Sequence, residues 1–173
     1  MSPTHAAHQL PSRAAVVGAG AWGTTFASLL AEAGAPTTVW ARRQEVAAEI
    51  NSGTNTRYAP GLSLPPEVRA TTDMRAAVAG AGIVVVALPS QLARGAIEPG
   101  ALVVSLMKGI ELGTRMRMSE VLAQVLGVPG ERVAVVSGPN LADEIAVRQP
   151  TATVVASSSQ ATAAAVAAAC ATA

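Results

Sequence analysis

Apolar positions in this chain fall into short unbroken runs, and the stretches between them carry apolar residues at helical spacing. The first run, Ala14–Val17, is followed at once by a helix-like stretch over 22–33 that Gly34 closes. Thr37–Trp40 is β-branched and aromatic, a second strand, and a helix over 44–50 comes next. Two strands around one helix make a βαβ unit and therefore a parallel pair. Further on, the pattern predicts strands over 68–72, 83–88, 101–106, 133–136 and 151–156. Helices are expected over 74–79 and 114–126, from Asn140 to about Val147, and over 160–171. The run Ile83-Val84-Val85-Val86-Ala87-Leu88 is continuously apolar, as in a central parallel strand covered on both faces. Alternation of this kind predicts an α/β fold, a doubly wound parallel sheet over 13–173 behind a loose polar leader over 1–12. The loop 51–66, with Gly53, Pro60, Gly61 and Pro65-Pro66, is long for a plain connection, and its Tyr58 marks it as a binding loop.

Between the first strand and the first helix lie Gly18, Gly20 and Gly23, in the spacing Gly-x-Gly-x-x-Gly. In that strand–turn–helix setting each glycine has a job. Gly18 permits the tight turn, Gly20 lets a pyrophosphate approach the backbone, and Gly23 lets the helix pack closely on the sheet. The phosphates would sit on the helix N-terminus, where unpaired N–H groups and the helix dipole favour negative charge. About 20 residues further on, an NAD site usually carries an acidic residue for the ribose 2′-hydroxyl. Here that place reads Ala41-Arg42-Arg43. Two guanidinium groups suit a 2′-phosphate and so NADPH, although two solvated arginines opening a helix would read the same.

Composition narrows the class. In 173 residues, 50% are hydrophobic and 13% charged, which describes a globular chain with a sizeable core. A net charge of +1 with no basic block argues against nucleic acid as a partner. The single cysteine, Cys170, makes neither an internal disulfide nor a metal cluster, and a reducing cytoplasm suits it. No metal site and no membrane span are expected, and the leader lacks the apolar core of a signal peptide.

Three loops should meet at the carboxyl edge of the sheet, where open α/β sheets bind ligands: 18–23, 107–109 and 137–140. Lys108, the only lysine, follows a buried run and could attract a phosphate or polarise a carbonyl. Ser137-Gly138-Pro139-Asn140 is a turn and a helix start, able to hold a phosphate or merely to connect. Pro89-Ser90-Gln91 ends the central run at the same edge. His5 and His8 lie in the leader, and Asp143-Glu144 compensates a helix dipole.

In order along the chain come Gly18-Ala19-Gly20-Ala21-Trp22-Gly23-Thr24, Val39-Trp40-Ala41-Arg42, Tyr58-Ala59-Pro60-Gly61, Pro89-Ser90-Gln91, Lys108-Gly109-Ile110-Glu111 and Ser137-Gly138-Pro139-Asn140-Leu141-Ala142 with Glu144. From Arg13 onward the chain thus resembles the N-terminal domain of bacterial NAD(P)-dependent glycerol-3-phosphate dehydrogenase. The resemblance implies reversible reduction of dihydroxyacetone phosphate to sn-glycerol 3-phosphate by hydride from NADPH or NADH, for phospholipid synthesis. It implies that Ala21, Trp22, Arg42, Arg43 and Tyr58 line the cofactor, with Ala142 at its nicotinamide side. Lys108 would touch cofactor and substrate, and Gly138 and Asn140 the substrate. In the family a helical domain follows and carries the proton-donor lysine, so no catalytic acid is expected before Ala173. The stretch after Gln91 is about ten residues shorter than the family pattern and barely long enough for a parallel crossover. A non-catalytic dinucleotide-binding module and a related hydroxyacid or sugar-acid dehydrogenase are the alternatives, and homo-oligomerisation stays open.

Overall fold

The computed structural model describes residues 12–88 and 96–171. Its elements are β1 (Ala14–Val17), α1 (Ala21–Glu32), β2 (Thr37–Trp40), α2 (Gln44–Asn51), β3 (Val68–Thr71), α3 (Met74–Val78) and β4 (Ile83–Val86). After these come β5 (Leu102–Ser105), α4 (Met118–Leu126), β6 (Val133–Ser137), α5 (Ala142–Ala146), β7 (Val154–Ser157) and α6 (Gln160–Cys170). The strands form one sheet in the order β3-β2-β1-β4-β5-β6-β7. The order reverses between β1 and β4, and a cleft opens at the carboxyl ends of strands that part in this way.

Alternation along the central strands builds two cores. Ala14, Val16, Ile83 and Val85 pack on one face with Phe26, Leu30 and Val39. Ala15, Val17, Val84 and Val86 pack on the other with Met74, Val78 and Leu122. A strand buried on both faces has no polar positions to alternate, which is why β4 reads as unbroken Ile-Val-Val-Val. Each large aliphatic side chain sealed in this way contributes about 1.5–3 kcal/mol.

The sequence pattern misplaces two features. β7 runs antiparallel to β6, pairing Ser137 with Val154 and Ala134 with Ser157, so the sheet is mostly rather than wholly parallel. The cause is α5. Its five residues rise only about 7–8 Å, too little to return the chain along the length of β6. The chain therefore enters β7 from the carboxyl edge, at Val154 instead of Thr151. The second feature is the helix expected over 114–126, which begins at Met118. Ile110 bridges Arg117, the Glu111 N–H reaches the Met116 carbonyl at 2.9 Å, and Arg115 is left-handed (φ 60°). The Thr114 hydroxyl accepts the Met116 N–H at 3.2 Å and bonds the Glu111 carboxylate. Such local side-chain bonds compete with a helix. The leader up to Pro11, Pro89-Ser90-Gln91 and most of the short crossover lie outside the described residues. Among those described, no helix is long and apolar enough to cross a membrane.

Candidate functional site

The glycine turn divides its labour as the spacing implies. Gly18 is left-handed at φ +118°, and a Cβ there would lie 2.6 Å from Leu88 Cδ2. A Cβ on Gly23 would lie 1.9 Å from the Gly18 carbonyl oxygen, so only glycine lets α1 seat this close to the turn. Gly20 is the contrast: with φ −77° and ψ −176° its backbone is ordinary, and a Cβ would meet nothing within 4 Å. The fold needs Gly18 and Gly23, whereas the space in front of Gly20 is left for something else. Gly20 caps α1 without a side-chain bond, and the first helical bond runs from Thr24 N–H to the Gly20 carbonyl at 2.9 Å. The first turn of α1 has no acidic residue, so its N–H groups and dipole stand uncompensated.

Beside the turn opens a cavity of about 340 Å³, lined by Gly18, Ala19, Gly20, Trp40, Arg42, Arg43, Tyr58 and Leu88 among others. Among the described residues, no carboxylate lines it. Arg43 is fixed: its Nη2 donates to the Tyr58 hydroxyl at 2.8 Å, and its Nε lies 3.3 Å from Glu45 Oε1. The guanidinium carbons of Arg43 and Arg57 stand 5.8 and 5.5 Å from the Tyr58 ring centre, so the ring has two cations near it. Arg42 is exposed and, among the described residues, has no ion-pair partner. One arginine is thus held in place and the other is free to close on an anion. The Trp40 indole is spent on the Thr72 carbonyl at 2.9 Å, which anchors the end of β2 under this cavity.

Further along the edge the residues diverge. Lys108 is exposed beyond β5 and lines a second cavity of about 340 Å³ with Met107, Gly109, Arg117, Ser119 and Ser137. Arg117 is already engaged there. Its Nη2 and Nε sit 2.9 and 3.2 Å from the Glu120 carboxylate, and these bonds hold that carboxyl down at about 2. Lys108 is therefore the unpaired cation of this cavity among the described residues. Gly138 is left-handed at φ +149°, and a Cβ there would lie 2.6 Å from the Ala152 carbonyl oxygen, so the strand approach itself requires glycine. Asn140 is buried and donates to Thr153 Oγ1 at 3.0 Å. It lines a different cavity, of about 470 Å³, with Trp22, Phe26, Arg148 and Cys170. Ala142 is buried at the start of α5, and Ala21 and Trp22 are half-buried in the first turn of α1. The structure thus gathers Gly18, Gly20, Arg42, Arg43 and Tyr58 around one cavity, but places Lys108 and Asn140 at two others.

Sequence reasoning passes over two contacts. Asn55 is buried and donates to the Ala19 carbonyl at 3.1 Å and to Thr24 Oγ1 at 2.7 Å. Arg148, left-handed at φ 64°, grips Glu32 through two bonds of 2.8 and 3.0 Å. Neither has periodicity or motif spacing to announce it.

Comparison with known proteins follows the same lines. Residues 13–163 match the family model described as NAD-dependent glycerol-3-phosphate dehydrogenase N-terminus. A curated glycerol-3-phosphate dehydrogenase, NAD(P)+, of Streptomyces griseus is 52% identical over 168 residues, covering 92% of this chain and 50% of the relative. Its counterpart from Frankia casuarinae is 54% identical over 166 residues, covering 91% and 49%. The crystal structure of glycerol-3-phosphate dehydrogenase from Coxiella burnetii superposes with a TM-score of 0.80 at 31% identity, over 90% of this chain and 49% of that one. The chain spans about half the length of the curated relatives it matches. It belongs to the NAD-dependent glycerol-3-phosphate dehydrogenase family, and what it matches is the family's N-terminal domain.

Proposed function

We propose that this chain is the cofactor-binding part of a glycerol-3-phosphate dehydrogenase that uses NADPH in preference to NADH. The observation that carries the reading is one cavity with the open backbone of Gly20 on one wall, Arg42 and Arg43 on another, and no carboxylate. The diphosphate would lie over Gly18, Gly20 and the first turn of α1, with Ala21, Trp22 and Gly23 beneath it. Arg42 and Arg43 would take the 2′-phosphate, and Tyr58 would hold Arg43 in register. Ala142 would flank the nicotinamide end.

When bound, the nicotinamide supplies hydride to the carbonyl of dihydroxyacetone phosphate, giving sn-glycerol 3-phosphate. Lys108 attracts the substrate's phosphate or the carbonyl oxygen that becomes negative in the transition state. Gly138 and Asn140 would contact the substrate from the β6 loop, where Thr153 takes one hydrogen of the Asn140 amide. The family resemblance implies that a lysine of a helical domain gives the proton to the developing alkoxide, and none of the described residues is assigned that role. A cytoplasmic setting and the possibility of a homo-oligomer belong to the same reading.

The test is a cofactor titration followed by dihydroxyacetone-phosphate-dependent NADPH oxidation on the purified chain. Binding with negligible turnover is expected, because positioned acid–base groups contribute ~10²–10⁴-fold. Turnover within about tenfold of an ordinary enzyme's ~10 s⁻¹ contradicts these roles. Absence of NADPH binding contradicts the reading as a whole.

A further inference from the structure

Asn55 comes from the middle of the loop between α2 and β3, yet its side chain is 1% exposed and reaches the diphosphate turn. Both amide hydrogens are used, one on the Ala19 carbonyl and one on Thr24 Oγ1. Its own oxygen has no hydrogen-bond partner among the described residues. Burying an amide oxygen without a partner is costly, so this side chain serves here as a donor. A carbonyl can only accept, which fixes the amide nitrogen as the atom facing Ala19.

The consequence lies in the peptide joining Ala19 to Gly20. The described chain has no cis peptide bond, and in a planar trans peptide the C=O and the N–H point in opposite directions. A buried side chain that draws the Ala19 carbonyl inward therefore turns the Gly20 N–H outward, toward the cavity that Ala19 and Gly20 line. Among the described residues that N–H has no acceptor of its own. The same residue also opens the turn that carries Tyr58. Its backbone carbonyl accepts from Tyr58 N–H at 3.2 Å and from Ala59 N–H at 2.8 Å. One residue thus ties the turn that would receive a diphosphate to the Tyr58–Arg43 pair across the cavity.

We infer that Asn55 is a positioning residue of the dinucleotide site, orienting the Gly20 N–H toward the diphosphate by holding the Ala19 carbonyl from behind. The inference rests on the cofactor reading proposed above, and its test separates the two. Asn55→Asp keeps the shape but replaces the donor with an oxygen that faces another oxygen, and Asn55→Ala serves where the aspartate variant fails to fold. Each folded variant is titrated with NADPH, NADH and adenosine 2′-phosphate, the last of which lacks the diphosphate. The expected result is a loss of about tenfold or more for both dinucleotides, with adenosine 2′-phosphate within about twofold of the unmutated chain and the NADPH-to-NADH ratio preserved. Thr24→Val, which leaves the Ala19 bond in place, should cost markedly less. Equal weakening of all three ligands would mean that Asn55 merely supports the loop, and unchanged dinucleotide affinity would mean that it orients nothing. Either result overturns the inference while the cofactor reading stands. An unmutated chain that binds no NADPH overturns both.

Discussion

At the β1–β2 end of the carboxyl edge, the polar groups that shape the cavity are fixed by the chain itself. Asn55 holds the turn, Tyr58 and Glu45 hold Arg43, Thr72 holds Trp40, and Gly23 locks α1 against Gly18. At the β5–β6 end Lys108 is exposed, and Ile110, Leu112, Leu141, Val147 and Val154 turn large apolar side chains to solvent, Leu112 at 97% exposure. Both ends belong to one sheet, so the difference is not one of fold. It lies in preorganisation: one end is held ready for a ligand, and the other presents its charge in open water, where screening weakens every contact. On the cofactor reading proposed above, affinity for a dinucleotide and chemistry on a substrate would be separable properties of this edge.

The largest expected effect is at Gly20. Gly20→Val puts a branched side chain into the open space before the turn, while its backbone angles already suit valine. Dinucleotide affinity should fall by about a hundredfold or more, with the melting temperature within a few degrees of the parent. Calorimetry and thermal unfolding together check this, and an unchanged affinity would mean the glycine is merely a turn residue. Gly23→Ala should behave in the opposite way. Its Cβ would meet the Gly18 carbonyl at 1.9 Å, so the fold itself pays, by about 1–3 kcal/mol or more in denaturant unfolding. If Gly23→Ala were neutral for stability, the turn would be looser than the contrast with the β5–β6 end requires.

A chemical probe sharpens the other side. Cys170 stands in the wall of the cavity that also holds Asn140, and burial pushes its thiol up to about 11. A thiol ionises to the charged form, so below that value it stays protonated, and a raised value favours the fold until pH climbs through the range from the ordinary thiol value to about 11. At pH 7.5 alkylation should be on the order of a hundredfold slower than for a free cysteine. Labelling at the free-thiol rate would mean that α6 opens readily and that this end is looser still.

Much of this contrast is legible in the sequence, and the reasons why are specific. Short apolar runs ending in glycine or a turn give the central strands β1, β4 and β5, because burial on both faces leaves no ambiguity of period. Gly18 and Gly23 are legible because each meets a steric demand local to the turn. The direction of β7 does not read, since it depends on how far α5 carries the chain and not on the composition of the strand. The start of α4 is hidden by hydrogen bonds of Thr114 that a hydrophobic pattern does not register. Asn55 is invisible for the same reason: its partners, Ala19 and Thr24, lie more than thirty positions away in the chain, at separations of 36 and 31. The separation of Lys108 from Asn140 into different cavities likewise arises only when the β6 loop folds back onto Thr153.

The most direct measurement compares NADPH with NADH on the unmutated chain and on the double variant Arg42→Ala, Arg43→Ala by calorimetric titration. A 2′-phosphate received by one fixed and one mobile guanidinium should favour NADPH by roughly 1–3 kcal/mol. The double variant should lose most of that preference while retaining NADH affinity, because the diphosphate turn is untouched. Equal affinities for the two cofactors in the unmutated chain would contradict the claim that the β1–β2 end is a finished site for a 2′-phosphorylated dinucleotide.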